Sequence, residues 1–90
     1  MKIVIDPREA RRFAGFLDER GKDLREINRR VSLQIFELGM NGWQDSRYQD
    51  FLRQFDEAST LLRVFLEHAE KYADYLRRKA APIERYLGRR

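Results

Sequence analysis

Two apolar series, each repeating every seven residues, are arranged as mirror images about Trp43. On the N-terminal side stand Leu17, Leu24, Val31 and Leu38, with Phe13, Ile27 and Ile35 beside them. On the C-terminal side stand Tyr48, Phe55, Leu62, Ala69, Leu76 and Ile83, flanked by Phe51, Leu52, Ala58, Phe65, Leu66, Tyr72 and Ala73. A seven-residue period sustained over about three heptads is the pattern of a packed helix. Leu38 and Tyr48 lie equally far from residue 43, as do Val31 and Phe55, Leu24 and Leu62, and Leu17 and Ala69. A fold-back there brings the two series to similar heights, which one continuous helix would not do. The expected fold is therefore all-α, an antiparallel two-helix hairpin with arms about 50 Å long at about 1.5 Å per residue.

Local signals set the expected boundaries. Asp6 is a favoured N-cap, Pro7 suits the first helical position, and Glu9 stands where a capping box places its acid. No proline follows until Pro82. Gly39, Asn41 and Gly42 form a helix-stop and turn signal, and Asp45 and Ser46 are both suited to start a second helix. The reading is one domain, with helix 1 at about 7–39, a turn at about 40–44, helix 2 at about 45–80 and a basic tail over 81–90. Ile3, Val4 and Ile5 read as a short extended segment. The tail, broken by Pro82, reads as a frayed helix end whose cations suit the macrodipole, with a docking segment for an acidic surface as the alternative.

The second helix carries an apolar stripe broader than a two-stranded seam needs. Two helices make a thin core, so the remainder is expected to be buried against another copy or a related hairpin, giving a dimeric four-helix bundle. The packing residues expected for hairpin and dimer are Leu17, Leu24, Val31, Leu38, Phe55, Leu62, Phe65 and Leu66. Arg20 interrupts the first stripe and is expected to lie along it with its head in water. Charged residues make up 38% of the chain, and Glu67–Lys71, Asp74–Arg78, Asp18–Lys22 and Glu26–Arg30 have the spacing of supporting pairs within a helix.

Composition narrows the function classes. The chain has no cysteine and one histidine, His68, which leaves neither a thiolate nor a histidine-rich metal site. His68 lacks a nucleophile and an orienting partner, the carboxylates are spread along solvated faces, and the glycines form no phosphate-cradling loop. No enzymatic activity, metal or cofactor is expected. The net charge is +4, but nineteen basic residues are interspersed with fifteen acidic ones, whereas nucleic-acid binders segregate their charge. No stretch approaches the roughly 20 apolar residues of a membrane span. The opening residues are too soon charged for a secretory signal peptide. The expected location is the cytoplasm, or outside the cell by a route that needs no such peptide.

Trp43 is the side chain hardest to assign to packing alone. An indole in a polar turn either plugs the helix ends or is offered to a partner. A hairpin of this size, with a tryptophan at its turn and an aromatic eight positions later (Trp43 and Phe51), resembles the WxG (Trp-x-Gly, ESAT-like) family. The opening Ile3-Val4-Ile5-Asp6-Pro7 and the runs Tyr48 to Leu52 and Phe55 to Ala58 are similar to that family's helix starts.

The resemblance implies a non-enzymatic bundle protein, homodimeric or heterodimeric, that is a small substrate of type VII secretion or the companion of a larger effector. It also implies that Trp43, Asp45 and Phe51 contribute to partner recognition. Two positions depart from the family pattern. Asp45 stands where the motif has glycine. The export signal, a tyrosine followed four positions later by an acid, is not matched by Tyr72, Tyr75 or Tyr86, which are followed by Leu76, Lys79 and Arg90. The alternative reading is a cytosolic helical adaptor or chaperone unconnected with secretion.

Overall fold

The chain is an all-α antiparallel hairpin. The structure, a computed structural model, describes residues 6–88. Helix α1 spans Pro7–Met40 and helix α2 spans Ser46–Gly88. The extended segment expected over Ile3 to Ile5 lies outside the described residues, as do Arg89 and Arg90. Helix α1 starts as its sequence requires: Asp6 is extended, and its carboxylate accepts the Arg8 amide at 2.9 Å. Glu9 does not complete a capping box, because its carboxylate turns to the Arg12 guanidinium instead.

The stop is a Schellman motif. Gly42 takes φ +91°, a left-handed conformation that glycine adopts without a Cβ penalty. Its amide then donates to the Gly39 carbonyl at 3.1 Å, and the Trp43 amide donates to the Leu38 carbonyl at 3.2 Å. The Gln44 side-chain amide donates a further bond to the Gly39 carbonyl at 3.0 Å. Asp45 then caps α2, its carboxylate accepting the Tyr48 amide at 2.8 Å. Two opposed helices are thus joined with several of their end groups satisfied by the turn itself, which local chemistry dictates.

The expected break at Pro82 is corrected. Helix α2 does not stop near residue 80 but continues through Pro82 to Gly88, so its 43 residues outreach the expected arm. Proline removes a backbone donor and costs about 3 kcal/mol inside a helix. Packing on α1 compensates: Ala80 is fully buried just before Pro82, and Glu84 just after it is gripped by Arg11 through bonds of 2.8 and 2.7 Å.

The seam between the two helices takes up only part of the packing set expected for hairpin and dimer together. Its centre is not the Leu17 series but the set three residues earlier, Ala14, Gly21, Asn28 and Ile35 with Pro7 one heptad before them, facing Leu52, Ser59, Leu66, Ala73 and Ala80. Ala14, Ala73 and Ala80 are fully buried, and Leu66 sits against Gly21. Small side chains let two helix axes approach closely, and bulky neighbours are then pushed to the shoulders. Leu66 is buried and Leu17, Phe55 and Leu62 are half-buried, but Leu24, Val31, Leu38 and Phe65 are exposed. In the middle of the seam the Ser59 hydroxyl donates to the Asn28 side-chain oxygen at 2.9 Å.

Candidate functional site

The two sides of the seam differ in chemistry because different heptad positions flank it. Four residues after Pro7, Ala14 and Gly21 on α1, and after Leu66, Ala73 and Ala80 on α2, stand charged residues that pair across the helices. Arg11 holds Glu84, Arg77 holds Asp18 at 2.5 Å, and Arg25 holds Glu70. The Arg11 contact pulls the Glu84 carboxyl below its ordinary value, through hydrogen bonding first. Three residues after each seam position, on the opposite side, stand the Leu17 series and the Phe55 series. Their outer neighbours Phe13, Ile27, Phe51, Phe65 and Tyr72 widen this side. One face of the hairpin is therefore charged and the other apolar.

The apolar face is continuous across both helices. Phe13 and Leu17 of α1 meet Phe65, His68, Ala69 and Tyr72 of α2 around one open groove of about 350 Å³. Phe65 is 59% exposed and Ile27 57%, values far from those of core residues. Isolated exposed apolar residues need no explanation, whereas a contiguous face of them marks an interaction surface. His68 lines the same groove as an exposed side chain. Arg20 shares the face as its sequence position requires, its guanidinium 5.8 Å from the Phe16 ring centre and 3.2 Å from Asp23.

The turn sets the other predicted residues apart by role. Trp43 is 61% exposed, so the indole is not a plug. Tyr48 fills that position instead: its hydroxyl donates to the Ile35 carbonyl at 3.0 Å, and its ring covers Gly39. Asp45 is engaged in capping α2. Phe51 is exposed one turn further on. Sequence reasoning missed Leu33, Phe36 and Met40, which are exposed on the outer side of α1 beside the turn. Their spacing of three and four residues was the signal, outside the main heptad stripe.

Several expected ion pairs are exchanged for others. Of the four pairs within a helix, Glu26–Arg30 forms at 3.0 Å, whereas Asp18 turns from Lys22 to Arg77 across the seam. Asp74 then reaches Arg77, at 3.5 Å, rather than Arg78. Glu26 is held by Arg29 and Arg30 together, which pulls its carboxyl down to about 2.

No helix among the described residues is long and apolar enough to cross a membrane. In comparisons with known proteins, no family model, curated protein or solved structure matches the chain.

Proposed function

We propose that this hairpin is a non-enzymatic binding protein that buries its apolar face against a second hairpin, itself or a relative, to form a four-helix bundle. The observation carrying this reading is the continuous exposed face from Phe13, Leu24, Ile27, Val31 and Leu38 to Phe51, Phe65 and Tyr72. The side of the hairpin that carries it, with about 50 Å of α1 along its length and a chain extent of 25 Å across, has room for the roughly 800 Å² per partner of a stable interface. Burial of such side chains contributes about 1.5–3 kcal/mol each, enough for a few central ones to dominate association.

Within that reading, the turn features shared with the WxG family support a role as a small type VII secretion substrate or effector companion. The exposed indole of Trp43 is then an anchor for the partner, with Phe51, also exposed, as a second contact on α2. Asp45 contributes by holding the turn. The second reading, a cytosolic adaptor or chaperone, is favoured by the aspartate in place of the motif's glycine.

Light scattering during size-exclusion chromatography tests the binding face. The wild type is expected to run as a dimer alone or with its cognate hairpin. Phe65→Glu is expected to return it to monomer with helicity retained. A wild type that stays monomeric at millimolar concentration and captures no hairpin on co-purification from its native host would refute the reading. Trp43→Ala separately tests the indole, since cognate-partner binding should fall while circular dichroism stays unchanged. Detection only in the cytosol, in a host without the secretion ATPase, would decide for the adaptor.

A further inference from the structure

The apolar seam repeats every seven residues on both helices, so sliding α2 along α1 by one heptad still places seam residues opposite seam residues. Packing period alone therefore leaves the register degenerate. The turn fixes the near end, but Arg11 lies about 45 Å from it and Glu84 about 55 Å, at about 1.5 Å per residue. Information about register is needed along the arms.

The three cross-helix pairs carry that information in their signs. Down α1 they read Arg11, Asp18, Arg25, and antiparallel to them on α2 read Glu84, Arg77, Glu70. A slip of one heptad in one direction opposes Arg11 with Arg77, Asp18 with Glu70 and Arg25 with Arg63. In the other direction it opposes Asp18 with Glu84 and Arg25 with Arg77. Each of these is a like-charge pair. The order is also palindromic, so two copies of α1 packed antiparallel would set Arg11 against Arg25 and Asp18 against Asp18. Two copies of α2 would set Glu70 against Glu84 and Arg77 against Arg77. Antiparallel packing of α1 on α2 in the observed register makes all three rungs attractive, and a slip of one heptad either way reverses every rung it keeps; the next attractive register is two heptads away, about 20 Å along the axis.

We propose that these six residues are a pairing code that selects both the partner of each helix and its register. Partly exposed ion pairs contribute little individually, but a specificity device works through the difference between right and wrong pairings, and here every rung changes sign at once. The code also keeps the arms closed on each other while the opposite, apolar side remains available.

The test uses the full chain, which has no cysteine of its own, labelled at Glu19→Cys and Glu57→Cys on exposed outer positions. Pulsed electron spin resonance then reads the distance between the labels, and a one-heptad slip moves them by about 10 Å along the axis. Reversing α1 alone (Arg11→Glu, Asp18→Arg, Arg25→Glu) is expected to abolish the native distance and favour the slipped one. Adding Glu70→Arg, Arg77→Glu and Glu84→Arg is expected to restore it, which separates loss of pairing from loss of folding. Exchanging only the middle rung, Asp18→Arg with Arg77→Asp, keeps three attractive rungs but removes the alternation, so native and slipped distances should coexist. An undisturbed native distance in either altered chain, or failure of the six-residue reversal to restore it, overturns the proposal.

Discussion

The same substitution at two buried glycines of α1 should have opposite effects. Gly21 and Gly39 are both buried, yet their surroundings differ. A Cβ at Gly21 would lie 3.8 Å from the Leu66 side chain and 3.9 Å from Arg25, ordinary van der Waals distances. Alanine there removes a helix-propensity penalty of about 1 kcal/mol and buries one further carbon for about 0.8 kcal/mol. Gly21→Ala is expected to stabilise the hairpin by about 1–2 kcal/mol, raising its melting temperature by roughly 5–15 °C for a chain of this size. At Gly39 the added carbon would meet the Tyr48 ring at 3.1 Å and its hydroxyl closer still. That ring cannot retreat without giving up its bond to the Ile35 carbonyl. Overpacking of about 1–3 kcal/mol and a lost hydrogen bond of about 1 kcal/mol outweigh the propensity gain. Gly39→Ala should therefore lower the melting temperature by roughly 5–10 °C. Thermal unfolding followed by far-ultraviolet circular dichroism, at matched protein concentration because self-association raises apparent stability, measures both. Shifts of the same sign would refute the account of a loose seam at Gly21 and a filled turn at Gly39.

Three further outcomes follow from the caps and carboxylates. Asp45→Ala should cost about 1 kcal/mol by uncapping α2, whereas Asp45→Gly should cost only a few tenths, and urea unfolding distinguishes them. Glu26 has a folded-state pKa of about 2 against an ordinary 4.5, so its contribution is present above that ordinary value and is lost as pH falls toward 2. An acid titration of helicity should show that limb, and Glu26→Gln should flatten it. Tyr48→Phe should destabilise by about 1 kcal/mol through loss of the hydroxyl's bond to the Ile35 carbonyl, with the oligomeric state unchanged by light scattering.

Much of the fold was legible because local chemistry dictates it. Asp6, Pro7, Gly42 and Asp45 act within a few residues of themselves, so their roles can be read without knowing the partner helix. The seam was not legible in the same way. A search for apolar periodicity weights large side chains, whereas closest approach selects small ones, and Ala14, Gly21 and Ala80 go unnoticed beside the leucines while Ala73 counts only as a flank. The same bias makes the Leu17 series look like core, when most of it borders an open face. Asp18 was assigned to Lys22 because a partner four residues away is visible in one dimension, while Arg77 becomes adjacent only after folding. Pro82 misled for a related reason, since helix-breaking is a local penalty and the packing that offsets it is not local. Trp43 stood out as soon as the turn was placed, but that Tyr48 rather than the indole fills the turn depends on three-dimensional proximity to Gly39.

The seam and the apolar face occupy different heptad positions, so the residues that shape the hairpin are mostly not those it would present to a partner. Leu24, Ile27, Val31, Phe51 and Phe65 can change while Ala14, Gly21, Ala73 and Ala80 stay as they are. Such a layout lets partner preference diverge between related copies, or be rewritten by design, at little risk to the scaffold. Substitutions would then sort into two groups, one read out as melting temperature and the other as choice of companion.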